Sequence, residues 1–242
     1  MNDKSVESLA RSLKLPIFES YDEYVKPGMA IGEALVELMS HELERRQDAM
    51  AKRRVRLAGL PNGKTIDTFK LAPSIPHLKK EQVEALATCQ FIERKMNVCA
   101  LGGNRTGKTH LMAAIGREAI QLGYTVKFLR VSDMLTMLHE ANTEKRLGAT
   151  RKTLLKADLL LLDELGYISL SVKKSQLLFD VIAKRSESGS SVFVTSNFEF
   201  SKWRGFLGND DVLAKALVGK LAGDAIILNM NGEDYSLASK RA

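Results

Sequence analysis

Five short apolar runs, four of them leading into stretches of amphipathic helical pattern, limit what this chain can fold into. Asn97–Leu101 precedes a helical stretch from Lys108, Thr125–Leu129 one from Ser132, Asp158–Asp163 one from Lys173, and Ser191–Ser196 one near Asp211; Ala225–Leu228 closes the series. A run of strand length that is apolar throughout has to be covered on both faces, and strands joined through helices lie parallel. The expectation is an α/β domain with a five-stranded parallel sheet flanked by helices. One more helix is expected ahead of it, from about Lys80 to Lys95.

The first quarter of the chain reads differently. From Ser5 to about Leu57 the pattern is helical, with breaks around Pro16, Pro27 and Gly28. Within Ile31–Leu57, Val36, Leu43, Met50 and Leu57 recur every seventh residue and share one face. Arg45, Lys52 and Arg56 form a basic stripe on another face, with Arg46 and Arg53 beside it and Glu42, Glu44 and Asp48 interspersed. Gly59-Leu60-Pro61-Asn62-Gly63 and Ala72-Pro73-Ser74-Ile75-Pro76 interrupt any regular element. Residues between them read as a linker. The expected boundary lies near residue 65, with a helical N-terminal domain over 1–65 and the α/β domain over 66–242.

Chemistry concentrates at the ends of the apolar runs. Gly102-Gly103-Asn104-Arg105-Thr106-Gly107-Lys108-Thr109 fits G-x-x-x-x-G-K-[ST] and sits between a strand and a helix, where a phosphate-cradling loop has to sit. Glycines let the backbone close around phosphates, and N–H groups at the helix start supply positive potential. Lys108 reaches the β and γ phosphates, and Thr109 ligates Mg²⁺. The nucleotide-binding run is extended by position to His110; none of the four histidines is given a chemical role. Asp158–Glu164 is an apolar strand ending in two carboxylates. Beside such a loop, Asp163 belongs to the Mg²⁺ shell and Glu164 is aimed as the base that polarises the attacking water. Asn197, at the polar end of Ser191–Asn197, is placed to hydrogen-bond the γ-phosphate or that water, or else caps the following turn. The expected ligands are ATP and Mg²⁺.

Net charge is +7 and the pI about 9.3, which suits an anionic partner such as DNA without requiring one. The basic stripe of Arg45, Arg46, Lys52, Arg53 and Arg56 is the candidate contact to DNA phosphates. Cys89 and Cys99 fall in a helical and a strand segment with no zinc spacing, and read as reduced core residues. Purely apolar runs such as Leu159–Leu162 are far too short to span a bilayer, and no signal-peptide pattern opens the chain. A cytoplasmic, membrane-free protein is expected.

With these motifs lined up, the sequence resembles the IstB-like insertion-sequence helper ATPases, a branch of the AAA+ superfamily close to the DnaC-like helicase loaders. Similar stretches beyond the loop are Thr109-His110-Leu111, Leu162-Asp163-Glu164-Leu165-Gly166-Tyr167, Leu177–Ile182, Thr195-Ser196-Asn197 with Trp203, and the closing Asn231-Gly232-Glu233-Asp234-Tyr235. The resemblance implies an AAA+ core behind a helical N-terminal domain, without a C-terminal lid. It implies an ATPase that forms homo-oligomers on double-stranded DNA and acts with a transposase in target selection. Helicase loaders share the core motifs, and a nucleotide-gated DNA scaffold with little hydrolysis is a third reading. Two positions depart from the family pattern. Arg105 stands where a second loop glycine is usual, and Lys220 where relatives place the arginine that reaches a neighbour's ATP; Arg204 and Arg185 are the other candidates for that trans-acting cation.

Overall fold

The structure, a computed structural model, describes residues 5–71 and 75–232. Met1–Lys4, Ala72–Ser74 and the Glu233-Asp234-Tyr235 part of the closing motif lie outside the described residues. The first helices are α1 (Val6–Leu13), α2 (Pro16–Glu19) and α3 (Ile31–Ala58), with a 3-10 turn at Tyr21–Glu23. Ser5 caps α1 by accepting the Ser8 N–H, and Pro16 starts α2 where its missing N–H costs nothing.

The remaining elements are α4 (Lys80–Ala87), α5 (Gln90–Glu93), β1 (Asn97–Leu101), α6 (Lys108–Gln121), β2 (Val126–Arg130), α7 (Val131–Thr143), α8 (Leu147–Lys156), β3 (Leu159–Leu165), α9 (Val172–Ser188), β4 (Ser191–Ser196), α10 (Trp203–Phe206), α11 (Asp211–Ala222) and β5 (Ala225–Asn229). All strand pairs are parallel, in the order β2-β3-β4-β1-β5. Among the described residues no helix follows β5.

Alternation along the strands produces two packed faces. Cys99, Leu101, Leu160, Leu162, Val192 and Val194 join one apolar cluster with residues of α7, α9 and α11. Leu161 points the other way, toward α6, where a Cβ on Gly116 would lie 2.6 Å from its Cδ1. Each fully buried leucine of β3 is worth roughly 1.5–3 kcal/mol. Both cysteines are free and buried, and burial pushes each thiol up to about 12, so neither is a reactive thiolate.

Two expectations change, and the apolar face of α3 is placed. The helix anticipated over Lys80–Lys95 breaks between α4 and α5, where Cys89 adopts φ 56°. The seventh-residue stripe of α3 is not core: Val36, Leu43, Met50 and Leu57 are 65, 56, 53 and 62% exposed, while Leu38 and Glu42 are buried. The compact units are Met1–Arg53 and Arg54–Ala242, so the division falls within α3, ahead of residue 65. Packing explains that shift. Ala58 and Leu60 are buried, and Arg117 of α6 donates to the carbonyls of Pro61 (2.7 Å) and Lys64 (2.9 Å), binding the segment after α3 to the α/β unit.

Arg185, expected as a possible trans-acting cation, is instead a core residue with no exposed surface. Its guanidinium donates to the carbonyls of Leu154, Ala157, Asp158 and Ser191 at 2.7–3.2 Å. It therefore ties the end of α8 to the starts of β3 and β4. Burial pulls it down to about 10, against the opposing pull of Asp158, so it stays charged at neutral pH. Arg185→Met strands buried carbonyls that cannot find water, at a cost of about 3 kcal/mol or more. At about 2–4 °C per kcal/mol for a chain of this size, the melting temperature should fall by roughly 6 °C or more. Thermal unfolding by circular dichroism checks this, and an unchanged midpoint would refute the clamp.

Candidate nucleotide-binding site

β1 is the strand between β4 and β5, and its C-terminal end delivers Gly102 to the rim of the sheet. Gly102 is required there because a Cβ would lie 2.2 Å from the carbonyl oxygen of Met230, just past β5. The loop closes with Gly107 at φ 85°, serving as the N-cap of α6. Arg105 takes φ 57°, so the side chain standing at the usual glycine position does hold a left-handed backbone. Thr106 is buried and donates to the Gly103 carbonyl at 3.0 Å.

Lys108 folds back into this loop. Its Nζ donates to the carbonyl of Gly102 at 2.8 Å and also to that of Gly103, with Thr106 Oγ1 at 3.4 Å. Thr109 Oγ1 donates to Asp163 Oδ1 at 2.9 Å, joining the start of α6 to the end of β3. Asn197 Nδ2 donates to Asn104 Oδ1 at 2.7 Å, joining the end of β4 to the loop. Glu164 sits at φ 62°, and its carboxylate pairs with Arg130 Nε at 3.4 Å. Asn104–Thr109, His110, Asp163, Glu164 and Asn197 all line one cleft of about 690 Å³.

That geometry suits a triphosphate and a hard cation. Thr109 and Asp163 offer adjoining oxygen donors, the set Mg²⁺ takes when phosphates and water complete its octahedron. Among the described residues no cluster of three or more His, Cys, Asp or Glu could hold a metal on its own. His110 turns toward the linker rather than the phosphate loop: its Nε2 lies 3.1 Å from the Thr65 carbonyl and 3.2 Å from Thr68 Oγ1, and its ring meets Phe69 edge-on.

The other predicted residues lie elsewhere. Arg45 and Arg46 each pair with buried Glu42 at 2.8 Å, whereas Lys52, Arg53 and Arg56 are exposed. Lys220 is exposed on a separate cleft of about 490 Å³ shared with Arg94, Lys95 and Asp224. Arg204 is also exposed. Sequence reasoning missed Lys64 and Tyr167, which line the nucleotide cleft, and Arg130 beside Glu164. Only Tyr167 carried a signal, as part of the Leu-Asp-Glu-Leu-Gly-Tyr run.

The family model for IstB-like ATP binding proteins matches residues 9–242. The chain belongs to the IstB-like ATP binding protein family. It is 34% identical over 241 residues to the ATP-binding protein of insertion sequence IS5376 from Geobacillus stearothermophilus, covering 98% of this chain and 95% of that one. It is 33% identical over 220 residues to the IS21 ATP-binding protein of Pseudomonas aeruginosa, covering 91% and 82%. Among solved structures, the DnaC helicase loader matches with a TM-score of 0.58 at 21% identity, covering 71% of this chain and 98% of that one. AMPPCP-bound DnaA of Aquifex aeolicus matches with a TM-score of 0.59 at 22% identity, covering 70% of this chain and 51% of that one, so the likeness spans about half of that initiator. The fold is that of AAA+ proteins. No helix among the described residues is long and apolar enough to cross a membrane.

For this IstB-like chain the buried lysine gives a pH signature. Burial lowers Lys108 from 10.5 to about 8, with the Asp163 carboxylate opposing the shift. A triphosphate seated against Lys108 raises it again, so binding takes up a proton wherever the free protein has lost one. Nucleotide affinity should be level below pH 8 and weaken above it, by at most about tenfold per pH unit. Isothermal titration in two buffers of different ionisation enthalpy reads the proton uptake; affinity that stays level to pH 10 would remove Lys108 from the phosphates.

Proposed function

We propose that this protein hydrolyses ATP with Mg²⁺, forms homo-oligomers on double-stranded DNA, and acts with a transposase in selecting the target. The observation that carries the reading is the convergence of Lys108, Thr109, Asp163, Glu164 and Asn197 on one cleft, in a family of insertion-sequence ATP-binding proteins. Loop N–H groups and Lys108 hold the triphosphate. Thr109 and Asp163 hold the Mg²⁺, which would offset charge on the phosphate oxygens. Glu164 accepts a proton from the attacking water, and Asn197 orients the γ-phosphate or that water.

Relatives named for insertion sequences favour a transposase over a replicative helicase as the partner. With Arg185 buried, the cation offered to a neighbour's phosphates is Lys220 or Arg204. A trans-acting arginine is worth about 10³–10⁵ in rate for P-loop enzymes, so a single subunit should turn over slowly and DNA should stimulate it by promoting assembly. Glu164→Gln should bind ATP as wild type does, lose roughly 10²–10⁴ of turnover, and stay longer on DNA. Turnover per subunit measured against protein and DNA concentration, with dissociation from tethered DNA, checks this. Equal lifetimes for wild type and variant would instead support the weakly hydrolysing scaffold.

Two basic surfaces are available to DNA phosphates. One is the exposed Lys52, Arg53 and Arg56 of α3; the other is the exposed Lys145, Lys152 and Lys156 in and beside α8. Changing the three α3 residues to alanine should lower the slope of log affinity against log salt by roughly 0.9 for each phosphate no longer neutralised. An unchanged slope would take α3 out of the interface, and the same exchange on α8 would then carry the loss.

A further inference from the structure

Thr195 is the next-to-last residue of β4 and is buried beneath the nucleotide cleft, which it lines. Around it the β3–β4 ladder is irregular: Leu162 pairs with Val194 and Leu165 with Ser196, so Asp163 and Glu164 together face Thr195. Such a bulge removes one residue from ladder hydrogen bonding and re-aims its side chain. Glu164 takes the left-handed backbone conformation here. Its N–H donates to Thr195 Oγ1 at 3.0 Å, and Thr195 Oγ1 donates to Asp163 Oδ1 at 2.5 Å.

A threonine hydroxyl has one proton. With that proton committed to Asp163 and a lone pair committed to Glu164, its rotor is fixed, and one oxygen atom sets two consecutive carboxylate residues. We propose that Thr195 is a positioning residue: its hydroxyl holds the bulge that places Asp163 against Thr109 and turns Glu164 into the cleft. It acts through the Asp163 carboxylate and the Glu164 backbone, the two groups its hydroxyl bonds. A residue serving packing alone would tolerate valine, which has nearly the same shape and equal ease in a strand. The hydroxyl role does not.

The inference rests on the proposed Mg-ATP hydrolysis, and the experiment separates the two. Wild type, Thr195→Val, Thr195→Ser and Thr195→Cys are compared for DNA-stimulated turnover, for ATP affinity in EDTA, and for Mn²⁺ affinity of the ATPγS complex by electron paramagnetic resonance. Thr195→Val should lose roughly a hundredfold in turnover, the scale set by small misplacement of reacting groups. Its Mn²⁺ affinity should fall about tenfold while its metal-free ATP affinity stays within about threefold, because the phosphate loop is untouched. Thr195→Ser, which keeps the hydroxyl, should remain within about threefold of wild type in every readout. If the valine variant does not fold, serine and cysteine carry the contrast, since a thiol is a weak donor of similar size.

Thr195→Val equal to wild type in turnover and Mn²⁺ affinity overturns the inference while leaving hydrolysis standing. Serine as impaired as valine or cysteine does the same. A wild-type protein that neither turns over nor holds Mn²⁺ with ATPγS overturns the hydrolysis reading and this inference with it.

Discussion

A carboxylate that is 2% exposed has to be answered by donors from its own chain, and Asp163 imposes that demand on the whole α/β unit. Its Oδ1 accepts from Thr109 at the start of α6 and from Thr195 near the end of β4. Three elements far apart in sequence are therefore fixed to one oxygen atom. The phosphate loop cannot shift along the sheet rim without breaking the first bond, and β4 cannot slip in register without breaking the second. The parallel order around β1 makes these bonds possible, because it brings the C-terminal ends of β1, β3 and β4 to one rim.

What was legible in the sequence was whatever rests on local pattern. The apolar runs marked five strands to within a residue or two, most plainly the central β1, β3 and β4, which are buried nearly throughout and leave no polar alternation to confuse with helix. The loop was equally plain, since its glycines, Lys108 and Thr109 are contiguous. Asp163 and Glu164 were legible as strand-ending acids, but the bulge that separates their directions was not. It depends on how β3 registers against β4, and register is not written in either strand alone.

The rest was hidden for related reasons. Arg185 looked like a helix-end surface charge because its four acceptors are backbone carbonyls from α8, the link between α8 and β3, and the start of β4. The α3 stripe of Val36, Leu43, Met50 and Leu57 had the spacing of a buried face. Spacing tells which residues share a side, not whether anything covers it. Leu60 looked like part of a break between domains, yet a Cβ on Gly116 would lie 3.1 Å from its side chain, which shows how closely that segment lies on α6. For Arg185 and Leu60 the deciding partner is remote in sequence.

Besides Thr109 and Asp163, three side chains that line the cleft are paired within the chain: Lys108 with the Gly102 and Gly103 carbonyls, Asn197 with Asn104, and Glu164 with Arg130. These pairings have different strengths. Lys108 and its carbonyl partners are largely shielded from water, so only a group that offers more negative potential can draw the ammonium away, and a triphosphate does. The Arg130–Glu164 pair is longer, at 3.4 Å, and both side chains are well exposed, so solvent screens it and its hold on Glu164 is weak. On the proposed reading, the selective step is the capture of phosphate by Lys108, while release of Glu164 from Arg130 costs little. Discrimination between nucleotides then belongs to the loop, and the base is left free to answer to whatever completes the site around it.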